Sequence, residues 1–190
     1  MHAHDRLWGV LSHRAVPAHA CWFCAGPQHF AAVVAPLASA ALRAGRSVRV
    51  LGPPDFVEAL RADRRLPPER RLAITELDGR HDHSSRARYV LDGVPPGALV
   101  VHAIASDEAA GLPGPDELDR LDHLETLLGR LTLAGLVVSL CVYDLSAVCR
   151  WQADVLAQRH HSHVLAAGRL LPIIEALGQP VESPPPALAD

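Results

Sequence analysis

The sequence predicts an α/β domain with a mainly parallel central sheet and helices on both faces. Three observations carry this reading. Segments with helical period alternate with short apolar runs, the order expected of repeated βα units. One of those runs, "AGLVVSLCVYD", is continuously apolar, as a central strand covered on both faces is, and "ALVVHAIAS" reads as a further buried strand. The length, 190 residues, suits one domain with a sizeable core.

The elements follow in order. Residues 19–23 read as a first short strand. "GPQHFAAVVAPLASAALRAGR" reads as a helix, with Phe30, Val33, Val34, Leu37 and Leu42 near one face. Pro27 suits its first turn, Gly45 suits its stop, and Pro36 is a candidate kink. "SVRVLG" is a strand and "PDFVEALRAD" a second helix. "LAITEL" is a third strand, and the polar "DGRHDHSSRAR" a loop. After the strand "ALVVHAIAS" comes the clearest helix, "GPDELDRLDHLETLLGRL". Leu118, Leu121, Leu124, Leu128 and Leu131 form its stripe, and Asp116, Glu117, Asp119 and Asp122 read as surface charge. "AGLVVSLCVYD" is the central strand, "LSAVCRWQADVLAQR" a helix and "HVLAAGRLL" one last strand. Residues 1–14 read as an N-terminal extension, 15–172 as the folded domain, and 173–190 as a proline-rich, disordered tail.

Composition excludes several chemistries. Every basic side chain apart from histidine is arginine; the chain has no lysine and no asparagine. Schiff-base lysine chemistry, lysine-attached pyridoxal phosphate and a phosphate-loop lysine are therefore excluded. The formal net charge of −3 gives no polyelectrolyte reason for nucleic-acid binding. The N-terminus lacks the pattern of a signal peptide, and no stretch of 18 apolar residues occurs. Four cysteines without a signal do not make a disulfide framework, so a cytoplasmic protein with reduced thiols is expected.

The chemical candidates centre on "HACWFCAGPQHF". Cys21-x-x-Cys24 is half of a zinc pattern with no second half in the chain. If the strand continues through Cys24, Cys21 and Phe23 face one side and Trp22 and Cys24 the other, so the two thiols cannot share an ion. No metal and no cofactor is expected. The residues that would supply a metal site are Cys21, Cys24, His19 and Cys141, with the 160–163 histidine cluster in reserve. A thioredoxin-type dithiol is disfavoured by the apolar Trp-Phe interior. Cys141 lies near the carboxyl end of a buried strand, and Cys149 reads as core. "HDH" at 81–83 reads as a solvated loop. "RHHSH" at 159–163 reads as a helix end followed by the start of a strand. No phosphate-binding loop, dinucleotide fingerprint, nucleophile elbow or zinc-protease motif is present. The residues alone thus point to a non-catalytic α/β domain. A thiol- or metal-dependent small-molecule enzyme, using Cys141 or Cys21 with a histidine base, stays open beside it.

Three blocks together resemble a known family. They are "HACWFCAGPQHFAAVVAPLASAALRAGRSVRVL", "VVSLCVYDLS" and "VLAQRHHSHVLAAGRL". Their order and spacing resemble the MEDS domain, a sensory domain of methanogen and methylotroph regulators and of actinobacterial signalling proteins. The resemblance runs from about residue 15 to about 172, with a shorter and more divergent middle. It implies a RecA/KaiC-like core without a P-loop and a role in sensing a small organic ligand. It also implies a protein partner of the histidine-kinase, anti-sigma or transcription-regulator type, with no direct nucleic-acid or membrane contact. A homodimer is compatible with it. Carried over by position, it implies ligand-binding roles for His19, Cys21, Cys141, Tyr143, Asp144 and His161. Ser162 stands where the family has proline. The first strand and the "LCVYD" strand are then expected to bring His19, Cys21 and Cys141 to one pocket, with the aromatics as its apolar wall.

Overall fold

The computed structural model describes residues 8–9, 11–12, 19–68, 70–77, 92–104, 115–145, 150–161, 163–166 and 169–172. The expected proline-rich tail, the "HDH" loop and Cys149 lie outside them.

Seven strands form one sheet in the order β3-β2-β4-β5-β1-β6-β7. They are β1 (His19–Cys24), β2 (Val48–Gly52), β3 (Leu72–Glu76), β4 (Ala98–Ile104), β5 (Val137–Asp144), β6 (His163–Ala166) and β7 (Arg169–Pro172). Every pairing is parallel except β6 with β7. The central strands β1, β4 and β5 are the most apolar runs of the chain, and they are buried end to end apart from the half-buried Val138. Helices α1 (Pro27–Arg43) and α2 (Pro54–Ala62) cover one face. Helices α3 (Pro115–Leu133) and α4 (Arg150–His160) cover the other. The fold class read from the sequence is the one observed.

Local chemistry sets the boundaries. α1 begins on Pro27, whose missing N–H costs nothing in the first turn. It runs through Pro36 and stops at Gly45, which takes φ 79° while the Gly45 and Arg46 N–H groups close back on Leu42 and Ala41. Phe30 of α1 packs edge-on to Phe56 of α2, with ring centres 5.1 Å apart. Two residues of the expected N-terminal extension, Trp8 and Leu11, are buried in this same core.

One element departs from expectation. "HVLAAGRLL" is not one strand but an antiparallel hairpin, with His163 opposite Pro172 and Ala166 opposite Arg169. That register leaves two residues between the strands, the commonest length of a hairpin connection.

Candidate functional site

Strand alternation decides which side chains meet. In the parallel register of β1 with β5, His19 lies beside Ser139, Cys21 beside Cys141 and Phe23 beside Tyr143. His102 of β4 lies beside Cys141 on its other flank. This face looks toward α3 and α4. Cys21, Phe23, Cys141 and Tyr143 all join the core beneath those helices, whereas Trp22 and Cys24 belong to the core under α1. The strand does continue through Cys24, so the thiols of Cys21 and Cys24 diverge, as the alternation predicts.

Helix α3 supplies the centre of the site. Glu125 and Gly129 are one turn apart and both face the sheet. Glu125 is 0% exposed, and its Oε2 lies 3.1 Å from His19 Nε2 and 3.2 Å from His161 Nε2. Gly129 makes room for the His19 ring, because a Cβ there would lie 3.1 Å from Nδ1. One turn further, the buried Thr132 hydroxyl donates to the Leu128 carbonyl at 2.8 Å and accepts from Ser139 at 2.9 Å.

His161 follows the last residue of α4, and its N–H closes the helix on Ala157. Its ring is buried, edge-on to His19 with centres 4.3 Å apart. Its Nε2 is also 3.1 Å from the Tyr143 hydroxyl. Cys141 Sγ lies 3.5 Å from His19 Nε2. His102 Nδ1 stands 3.9 Å from the second Glu125 oxygen, beyond hydrogen-bond reach.

The electrostatics follow from burial. Desolvation alone would raise the Glu125 carboxyl; the imidazoles around it, with His161 and His19 in hydrogen-bond contact, outweigh that and hold the group ionised, below the usual carboxylate range. Desolvation lowers His19, against the pull of Glu125. Burial first, then the Glu125 charge, pushes the Cys21, Cys141 and Tyr143 protons on more tightly. Burial and Asp144 likewise raise Cys24, to about 12. An activated thiol nucleophile needs the opposite shift, so the protein-only site holds neutral thiols.

Of the residues expected at the site, His19, Cys141, Tyr143 and His161 come together. Cys21 shares the face, and its Sγ points to the His163 carbonyl at 3.7 Å. Asp144 does not join them. It alternates to the other face, where Oδ1 accepts the Gly26 N–H at 2.9 Å. The aromatic wall is also divided: Phe23 lies by Tyr143, with centres 5.9 Å apart, but Trp22 packs on His29 across the sheet. The cluster lies beneath α3, reaching from the first residue of β1, and not beyond the carboxyl ends of the strands. An open surface groove of about 490 Å³, lined by Arg61, Pro68, Arg70, Leu72 and Ile74, shares none of its residues.

Sequence reasoning missed Glu125, His102 and Gly129. The signal for Glu125 was a carboxylate set inside the leucine stripe, between Leu124 and Leu128, with small or polar residues one and two turns on at Gly129 and Thr132.

No family model matches the sequence, and no curated protein matches it. Among solved structures a similar fold occurs in the flagellar accessory protein FlaH from Methanocaldococcus jannaschii, at 12% identity and TM-score 0.49, covering 82% of this chain and 76% of that one. Another is a solved ATPase domain, at 11% identity and TM-score 0.45, covering 78% of this chain and 68% of that one. Both are likenesses of fold.

Proposed function

We propose that this chain is a sensory module of the MEDS type. It binds a small organic ligand and regulates a partner protein of the histidine-kinase, anti-sigma or transcription-regulator kind. One observation carries the reading. The three sequence blocks that resemble the family lie far apart along the chain, yet each delivers a side chain to one cluster. His19 comes from the first, Cys141 and Tyr143 from the second, and His161 from the third.

The cluster is suited to a switch. Its members belong to β1, β5, α3 and the end of α4, so a ligand that prefers one arrangement of α3 and α4 on the sheet shifts the surface those helices present. The absence of lysine removes the usual phosphate clamp of nucleotide-driven relatives of this architecture.

The test is a thermal-shift screen of small organic molecules on the wild-type chain and on a His161→Gln variant, with a pull-down from the native host. A compound that raises the melting temperature of the wild type alone, and changes recovery of a signalling partner, is the expected result. No shift with any compound, together with no signalling partner recovered, sinks the reading.

A further inference from the structure

The sensory reading leaves the centre of the cluster chemically unexplained. Among the described residues, the buried side-chain nitrogens and oxygens without a hydrogen-bond partner are His19 Nδ1, His102 Nδ1, His161 Nδ1 and Glu125 Oε1. All belong to this one cluster. Unpaired buried polar atoms are rare in folded proteins, so their concentration here marks a cluster whose polar groups the protein alone does not satisfy; the atoms that face its centre are the other ring nitrogens of His19 and His161 and the other Glu125 oxygen. The inner atoms are over-committed as well. His19 Nε2 faces both a carboxylate oxygen and a thiol, and His161 Nε2 faces both that oxygen and a phenol. One ring nitrogen carries at most one proton, so it cannot donate a full hydrogen bond to both neighbours.

We infer that His19, Glu125, Cys141 and His161 form a four-ligand site for a divalent transition metal of the zinc class. Their ligand atoms all lie within 4.8 Å of one another. Bonds of about 2.0–2.3 Å to nitrogen, oxygen and sulfur in a tetrahedron set neighbouring ligands about 3.3–3.7 Å apart. The structure has 3.1 Å from His19 Nε2 to Glu125 Oε2, 3.2 Å from His161 Nε2 to the same oxygen, and 3.5 Å from His19 Nε2 to Cys141 Sγ. The remaining pairs lie within 4.8 Å, so a small cation at the centre spreads the shortest pairs slightly and draws the widest ones in.

The donor set selects the ion. Two imidazoles, a thiolate and a carboxylate suit zinc and its neighbours, whereas magnesium and calcium take oxygen shells. The cation supplies the positive charge that a fully buried carboxylate requires. Binding displaces the Cys141 proton, so the metal–sulfur bond forms as the sulfur–hydrogen bond is lost to solvent base. The four ligands come from β1, α3, β5 and the residue after α4, which gives a rigid cradle. This site is not the Cys21-x-x-Cys24 half-motif, and it revises the expectation of a metal-free chain, which rested on that motif.

The inference stands on geometry and not on the sensory reading, and its test needs neither ligand nor partner. The full chain, stripped with chelator and checked for folding by circular dichroism, is titrated with cobalt(II). Expected are tetrahedral d–d bands and a thiolate-to-cobalt charge-transfer band that saturate at about one ion per chain. The charge-transfer band disappears in Cys141→Ser and persists in Cys24→Ser, whose thiol lies across the sheet. Zinc bleaches both features. A folded wild-type chain with no such bands overturns the inference. So does a band lost in Cys24→Ser and kept in Cys141→Ser, which would move the metal to the half-motif. A negative result here leaves the ligand screen to judge the sensory reading by itself.

Discussion

His29 shows how one side chain carries a pH dependence. It sits in the first turn of α1, buried against Trp22, and its Nδ1 accepts the Ala25 N–H at 3.2 Å. That bond requires the neutral ring, and burial disfavours the imidazolium, so its folded-state pKa lies below the value of about 6.5 in an unfolded chain. Between the two values the unfolded chain binds more protons. The contribution to stability is therefore full above about pH 6.5 and is lost as pH falls through the folded-state value. His19 is shifted in the same direction, so the acid decline has more than one source. A His29→Gln variant isolates one of them. Melting temperatures from about pH 7.5 to about pH 5 should fall less steeply in the variant than in the wild type. Parallel curves would remove His29 from the account. At this scale the sequence was legible in part. Alternation placed Cys21 and Cys24 on opposite faces correctly, because a period of two needs no tertiary knowledge. The same alternation excludes Asp144 from the Tyr143 face, which positional carry-over from a family overlooked.

Helix α3 shows where element-level reading succeeds and where it stops. The leucine stripe located the helix and its buried side, with Leu124 and Leu128 at 1% and 0% exposure. The acids singled out on it, Asp116, Glu117, Asp119 and Asp122, read as surface charge, and Glu125, which was not singled out, is fully buried. A period locates a face but does not say that a polar residue on it will find partners, since those come from β1 and from the end of α4. Gly129 belongs to the same inward line, and two effects compete there. Alanine favours a helix over glycine by about 1 kcal/mol. Against that, the new Cβ would sit 3.1 Å from Nδ1 and 3.6 Å from Cε1 of His19. That ring is held by Glu125 at 3.1 Å and Cys141 at 3.5 Å on its other edge and has little freedom to yield. Overpacking of this kind costs about 1–3 kcal/mol, so Gly129→Ala is expected to lose about 1 kcal/mol net. Urea denaturation measures it, and a gain near the full helix-propensity value would show that the ring moves freely.

For the whole molecule, the connection between β1 and α1 is decisive. In a P-loop the phosphate-binding turn lies between a strand and the helix that follows it. Here only Ala25 and Gly26 join the two elements, and the Asp144 carboxylate takes the Gly26 N–H at the helix start. With no lysine in the chain, a phosphate-loop lysine is excluded as well. Titration with ATP and magnesium in a calorimeter should give a flat trace, and micromolar binding would reopen an ATPase reading. The missing motif and the missing lysine were plain in the sequence. The carboxylate at the helix start was not, because Asp144 and Gly26 are 118 positions apart.

The same long reach governs the buried cluster, and its consequence is kinetic. Glu125 meets His19 across 106 positions, and Cys141 meets it across 122. Closing loops of that length costs chain entropy before any contact repays it, and contacts of large sequence separation are slow to form. A growing chain holds His19 from the start but lacks its last partner until His161 has been added. The polar centre therefore cannot be complete before the end of α4 is in place, however early the sheet around it pairs.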